Sequence, residues 1–170
     1  MRKFILNIFC VLISFSIFSF AYSEETKSNE TELNFFTGMF DFSDDKQKAI
    51  LVGMQHQNES FERNTFLGNV SPITGGFITE NSAAYIYTGI EWNIKMGAVN
   101  FTPSFAPGLY HEGDGKDLGH FLEFKSEVQL TIDVSENSNI GMSYNHISNA
   151  SLGDKNPGAN SYMFNFLKKF

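Results

Sequence analysis

Residues 120–132 read HFLEFKSEVQLTI. His120, Leu122, Phe124, Ser126, Val128, Leu130 and Ile132 fall on one side of this run, and Phe121, Glu123, Lys125, Glu127, Gln129 and Thr131 fall on the other. A period of two is that of a β-strand, whose successive side chains point to opposite faces. One face is nearly continuous hydrocarbon. The other carries two glutamates, a lysine and a glutamine that can pair with one another. A strand of a membrane barrel turns its hydrocarbon outward to lipid and its polar side chains inward. A soluble, lipocalin-like barrel would reverse that arrangement.

The same period recurs on both sides of this run. In 32–42, Phe36, Phe40 and Phe42 share a face, although Leu33, Phe35 and Met39 blur the alternation. In 48–57, Ile50, Val52 and Met54 alternate with Leu51, Gly53 and Gln55. Segments 82–92 and 95–105 are strand-like and are separated only by Asn93 and Ile94, which reads as a tight turn. Segment 138–147 alternates Ile140, Met142 and Tyr144 with Gly141, Ser143 and Asn145. Segment 160–170 puts Tyr162, Phe164, Phe166 and Phe170 on one face, with Lys168 the exception. The third strand is the least defined. It is expected at 60–68, with 67–81 either its extension or a loop. Tyr85, Tyr87 and Trp92 read as an interfacial girdle. No stretch keeps a helical stripe. Strands of about ten residues, eight in all, suit the smallest membrane barrels. The expected fold is therefore all-β: an eight-stranded antiparallel transmembrane β-barrel of the bacterial outer membrane.

The start of the chain reads as an address. Arg2 and Lys3 precede the apolar run FILNIFCVLISFSIFSF, and Ala21 and Ser23 place small residues ahead of a cut before Glu24. That is the layout of a secretory signal peptide over residues 1–23, with a single domain over 24–170. Cys10, the one cysteine of the chain, lies inside that segment, so the mature chain has neither disulfide nor thiol nucleophile. Without Arg2 and Lys3, ten of the 12 basic residues remain against 19 acidic ones, a net charge near −9. That balance excludes a nucleic-acid partner, which needs a Lys/Arg surface. His111, Glu112, Asp114 and Asp117 read as a solvated extracellular loop in preference to a cation site. His120 and Glu123 have opposite parity and read as structural.

The remaining polar cluster is HISNASLGDKNPGAN, residues 146–160. His146 and Ser148 share the even parity of Ile140, Met142 and Tyr144, so both point to the apolar exterior. Asn160 shares the parity of Tyr162, Phe164 and Phe166 and points out as well. Polar groups facing lipid are costly and mark function more often than chance. Two residues apart on one strand face, a histidine and a serine have Cβ atoms about 6.5–7 Å apart. A histidine can take the proton of a serine hydroxyl and so make it nucleophilic. Spacing alone leaves two readings open, a hydrolytic site and a polar hairpin.

The stretch 146–160 resembles the signature of the PagL-type lipid A 3-O-deacylases, also called the acyloxyacyl hydrolase family: H-x-S-N-A/G followed by an N-P-G turn. The upstream stretch PSFAPGLYHEGDGKDLGHFLEFKSEVQL (103–130) is similar to the family's segment before the catalytic strand, and AAYIYTGIEW (83–92) fits less specifically. The resemblance spans roughly 70–170. It implies an outer-membrane barrel with its site on the lipid-facing exterior, lipid A of lipopolysaccharide as substrate, other outer-membrane lipids around it, and no metal or organic cofactor. A homodimer is among the assemblies such a barrel allows. It also implies that His146 is the general base, that Ser148 is the nucleophile, and that Asn149 and Asn156 shape the oxyanion site. At the position of the family's glutamate this chain has Asn160, with Asp154 in the same hairpin as a substitute acid. The neutral amide at 160 keeps open an alternative, a catalytically weakened or non-enzymatic lipid-binding or structural barrel.

Overall fold

The computed structural model describes residues 31–66 and 68–170; the expected signal peptide lies outside them. Among the described residues nine strands follow one another: β1 (Thr31–Phe40), β2 (Ala49–Asn58), β3 (Arg63–Thr65), β4 (Gly68–Thr79), β5 (Ala84–Met96), β6 (Val99–His111), β7 (Leu122–Ser135), β8 (Ser138–Ser148) and β9 (Ala159–Lys169). Each long strand pairs antiparallel with its neighbours in sequence. β1 pairs with β9, and β2 pairs with β4, which closes the sheet. The result is a closed barrel of eight long strands, with β3 a short flap on the edge of β4.

The alternation read in 120–132 holds from Leu122, where β7 begins; Phe121 precedes the strand and is exposed instead of turned inward. Glu123, Lys125, Glu127, Gln129 and Thr131 are buried inside, whereas Val128, Leu130 and Ile132 lie exposed on the outside. Outward rows from other strands continue this surface: Ile50, Val52 and Met54 on β2, Ile140, Met142 and Tyr144 on β8, and Phe164 and Phe166 on β9. In water such a surface would be unfavourable, and against acyl chains it is the ground state.

Several boundaries differ from those expected. The third long strand is β4, not 60–68, where a 3-10 turn (Glu59–Phe61) and β3 stand instead. Pro72 and the Gly75–Gly76 pair weaken β propensity in β4, yet tertiary pairing with β2 and β5 overrides it. Asn93 and Ile94 are not a turn. β5 runs on to Met96, and Met96 pairs with Val99 across Gly97–Ala98. Gly97 has φ +66°, which a two-residue hairpin requires and glycine supplies without strain. Phe42 does not share the face of Phe36 and Phe40; it lies beyond β1 and is exposed. Tyr85 and Tyr87 are not girdle residues, because both are buried in the lumen.

Those two tyrosines explain how the lumen is filled. Toward the loops at 41–48, 80–83, 112–121 and 149–158 the interior is aromatic and aliphatic: Phe36, Phe40, Phe77, Tyr85, Tyr110 and Met163 belong to one buried cluster. The Phe40 and Phe77 rings sit 5.7 Å apart, and those of Tyr85 and Tyr87 5.4 Å apart. Toward the strand ends near Thr31 and Lys169 the interior becomes polar, with Glu32, Asn34, Gln55, Gln57, Glu91 and Gln129 buried. Lys125 joins the two halves. Its ammonium lies 2.9 Å from Glu127 and 4.0 Å from the centre of the Tyr87 ring. A cavity of about 630 Å³ opens at the polar end, lined by Glu32, Lys95, Asn100, Asp133 and Lys169. It is remote from residues 146–160, so their chemistry belongs to the exterior wall.

Candidate active site

Register explains how the polar exterior cluster assembles. His146 of β8 stands opposite Ser126 of β7 on one side and Asn160 of β9 on the other. Directly opposed residues in an antiparallel pair have Cβ atoms only about 4.5–5.5 Å apart. The Asn160 carboxamide therefore reaches the imidazole: its Oδ1 lies 2.8 Å from His146 Nδ1. The Tyr144 hydroxyl donates to the same oxygen at 2.8 Å, and Asn160 Nδ2 donates to Ser43 Oγ at 3.3 Å. The oxygen of the amide thus faces two donors and its nitrogen faces an acceptor. An amide oxygen only accepts, so His146 carries its proton on Nδ1 and presents the lone pair of Nε2.

Ser148 follows two residues later on the same exterior face, opposite Phe124 of β7. The Phe124 ring stacks on Phe105 at 6.1 Å, so an aromatic wall stands beside the serine. Among the described residues no hydrogen bond engages Ser148 Oγ. Immediately after it the chain turns sharply: Leu152 N–H donates to the Asn149 carbonyl at 3.0 Å. Ala150 and Ser151, in the middle of that turn, have φ of 52° and 63°. Two successive non-glycine residues in the left-handed region are strained. Their N–H groups have no acceptor among the described residues.

Asn149 and Asn156 come together as well. The Asn149 backbone N–H donates to Asn156 Oδ1 at 3.1 Å, and Asn149 Nδ2 donates to Leu118 and Lys155 carbonyls at 2.8 and 2.9 Å. Asn149 is fully buried, so its amide ties loop 149–158 to loop 112–121. A Lys155–Asp117 ion pair adds a second tie. That ammonium, and then the Gly119 N–H, hold the Asp117 carboxyl below its usual range. Asp154 is exposed and makes none of these contacts.

Sequence reasoning placed His146, Ser148 and Asn160 on the exterior and missed Ser43 and Asp41. Asp41, 1% exposed, accepts from the Asn160 backbone N–H at 3.3 Å. Both residues lie well over 100 positions upstream of Asn160. Closure supplies the missing signal: a barrel that pairs β1 with β9 puts the loop after β1 against the start of β9.

Among solved structures, the crystal structure of the outer membrane enzyme PagL superposes with a TM-score of 0.61 at 14% identity, over 81% of this chain and 98% of that one. The crystal structure of Neisserial surface protein A (NspA) gives 0.56 at 9% identity, over 83% and 96% of the two chains. A de novo designed transmembrane β-barrel gives 0.50 at 13%, over 86% and 100%. Identities this low speak for the outer-membrane barrel fold alone. A search of curated protein sequences returned no match. The family model of lipid A 3-O-deacylase (PagL) matches residues 48–169, which takes in seven of the eight long strands and the whole of the segment 146–160. On that match the chain belongs to the PagL family of lipid A deacylases.

Proposed function

We propose that this protein is an outer-membrane serine esterase that removes the ester-linked hydroxyacyl chain at the 3-position of lipid A. The loop-bearing end faces outward, so the site lies level with the lipopolysaccharide leaflet. His146 Nε2 takes the Ser148 hydroxyl proton as Oγ attacks the ester carbonyl carbon. The tetrahedral intermediate collapses, the bond to the sugar oxygen breaks, and the imidazolium returns its proton to that oxygen. Water, deprotonated by His146, then cleaves the acyl-enzyme and releases the fatty acid. Asn160 holds the tautomer in which Nε2 is free. The unpaired N–H groups of Ala150 and Ser151 are the donors available to the developing oxyanion. Asn149 and Asn156 shape that oxyanion site by fixing the turn. Phe124 and Phe105 offer the departing chain an apolar wall.

The observation that carries this reading is the 2.8 Å contact between His146 Nδ1 and Asn160 Oδ1, on the face shared with Ser148. The test is mass spectrometry of lipid A from cells expressing the native protein or Ser148→Ala. Loss of one ester-linked hydroxyacyl chain only with the native serine is expected. A second reading, a non-enzymatic lipid-binding barrel, is favoured by the uncharged Asn160. An unchanged lipid A mass in both strains would select it.

A further inference from the structure

The bonds of Asn160 lead away from the histidine to a carboxylate. Asn160 Nδ2 donates to Ser43 Oγ at 3.3 Å, and Ser43 Oγ donates to Asp41 Oδ1 at 3.4 Å. The Asn160 backbone N–H donates to the same Asp41 oxygen at 3.3 Å, and the Phe42 N–H donates to the Asn160 carbonyl at 3.0 Å. Residues 41–43 are therefore strapped along the start of β9. Asp41 Oδ2 faces the other way, 2.5 Å from Lys116, whose ammonium also stands 3.8 Å from Asp44. A buried carboxylate thus lies behind the amide, with its counter-ion on the far side.

We propose that Asp41 is the acid of this site: a positioning residue that acts on His146 through Asn160 and Ser43, in place of a carboxylate at 160 itself. The inference rests on the Ser148–His146 reading above. No proton travels along the line, because an amide does not relay one readily. As Nε2 takes the serine proton, the positive charge of the ring strengthens the bond from Nδ1–H to Asn160 Oδ1. The amide dipole is aligned for this by its bond to Ser43, which is aligned in turn by the carboxylate. Hydrogen bonds polarised in series by a buried charge are stronger than the same bonds alone. Asp41 has φ +48°, a conformation that asparagine also tolerates. Asp41→Asn therefore removes the charge and keeps the backbone, together with an acceptor for the Asn160 and Ser43 donors.

The test is the rate at which a fluorophosphonate labels Ser148 in the full chain, folded in detergent. In that reaction the Oγ–P bond forms, the P–F bond breaks, and His146 receives the hydroxyl proton. Ser148→Ala is the blank, and the mobility of unheated protein in a gel reports folding. In the native background, Asp41→Asn is expected to slow labelling about tenfold, and Ser43→Ala, which leaves the Lys116 pair intact, several-fold. In an Asn160→Glu background, where the ring meets a carboxylate directly, Asp41→Asn is expected to cost less than about twofold. Equal losses in both backgrounds would mean that Asp41 only supports the loop, and no loss in the native background would mean that its charge is not felt; either result overturns the proposal. If labelling follows the expected pattern while lipid A is unchanged, the substrate assignment fails and the role of Asp41 stands.

Discussion

The imidazole of His146 lies against Gly158: a Cβ built on that glycine would fall 2.8 Å from Cε1 and 3.3 Å from Nε2. Gly158 also has φ +64°. The glycine of the N-P-G turn is thus the floor of the ring's pocket as well as a hinge of the loop. Gly158→Ala is expected to push the ring off Nδ1–Asn160 geometry and reduce lipid A deacylation about 100-fold, as misplacements near 1 Å can do. Because the change is at the barrel rim, the protein should still fold, as gel mobility will show. Activity within twofold of native would mean that the ring does not need this seat.

Asn160 Oδ1 accepts from both His146 and Tyr144. The phenol fixes which end of the amide faces the ring. Tyr144→Phe removes one neutral hydrogen bond and is expected to lower kcat about threefold. Asn160→Ala removes the acceptor that holds the tautomer and is expected to cost well over about tenfold. Lipid A turnover by the two variants ranks these roles; the reverse order would show that the tyrosine, not the amide, positions the histidine.

What the sequence made legible was parity. Strand faces alternate whatever the tertiary context, so the outward placement of His146, Ser148 and Asn160 could be read from even numbers alone. Parity could not separate lipid-facing aromatics from luminal ones where both faces are apolar. Tyr85 and Tyr87 were misplaced for that reason, since the upper lumen is filled by rings rather than by polar side chains. Nor could it find β4, whose proline and glycines give way to pairing on both edges. Asp41 and Ser43 were invisible because they lie before the stretch of roughly 70–170 that carries the resemblance and reach Asn160 only through closure of β1 on β9.

The turn after Ser148 holds Ala150 and Ser151 at positive φ, a conformation that costs roughly 1–2 kcal/mol per residue for an L side chain. Ser151→Gly removes that strain and is expected to raise stability by up to about 1 kcal/mol, read as the urea midpoint in vesicles. If the strained turn aims the two free N–H groups at the oxyanion, the same variant loses activity several-fold as the turn loosens. A variant both more stable and fully active would show that the strain is unrelated to catalysis.

Loops 112–121 and 149–158 are clamped by Asp117 and Lys155. The ammonium depresses the Asp117 carboxyl, so the stabilisation from the pair is complete above the ordinary carboxylate range and fades only as pH falls through the lowered value. No change in loop protection from this pair is therefore expected between about pH 5 and 8. Asp117→Asn is expected to speed protease nicking of the loop in intact vesicles at neutral pH. Unchanged nicking would mean that the Asn149 bonds hold the loops by themselves.

Lys125 points into the lumen directly opposite Ile147, between the two site residues of β8, and is 2% exposed. Its partner Glu127 is 9% exposed. Removing one member of a buried pair strands the other, which typically costs about 3–5 kcal/mol. Lys125→Met is expected to lower barrel stability by that order, and Lys125→Met with Glu127→Leu to recover much of it, because the stranded charge is gone. His146 and Ser148 lie on the opposite side of the same wall, so deacylation per folded molecule should stay within about twofold in both variants. A fall in that specific rate for Lys125→Met, reversed in the double variant, would instead mean that the luminal charge is transmitted through β8 to His146.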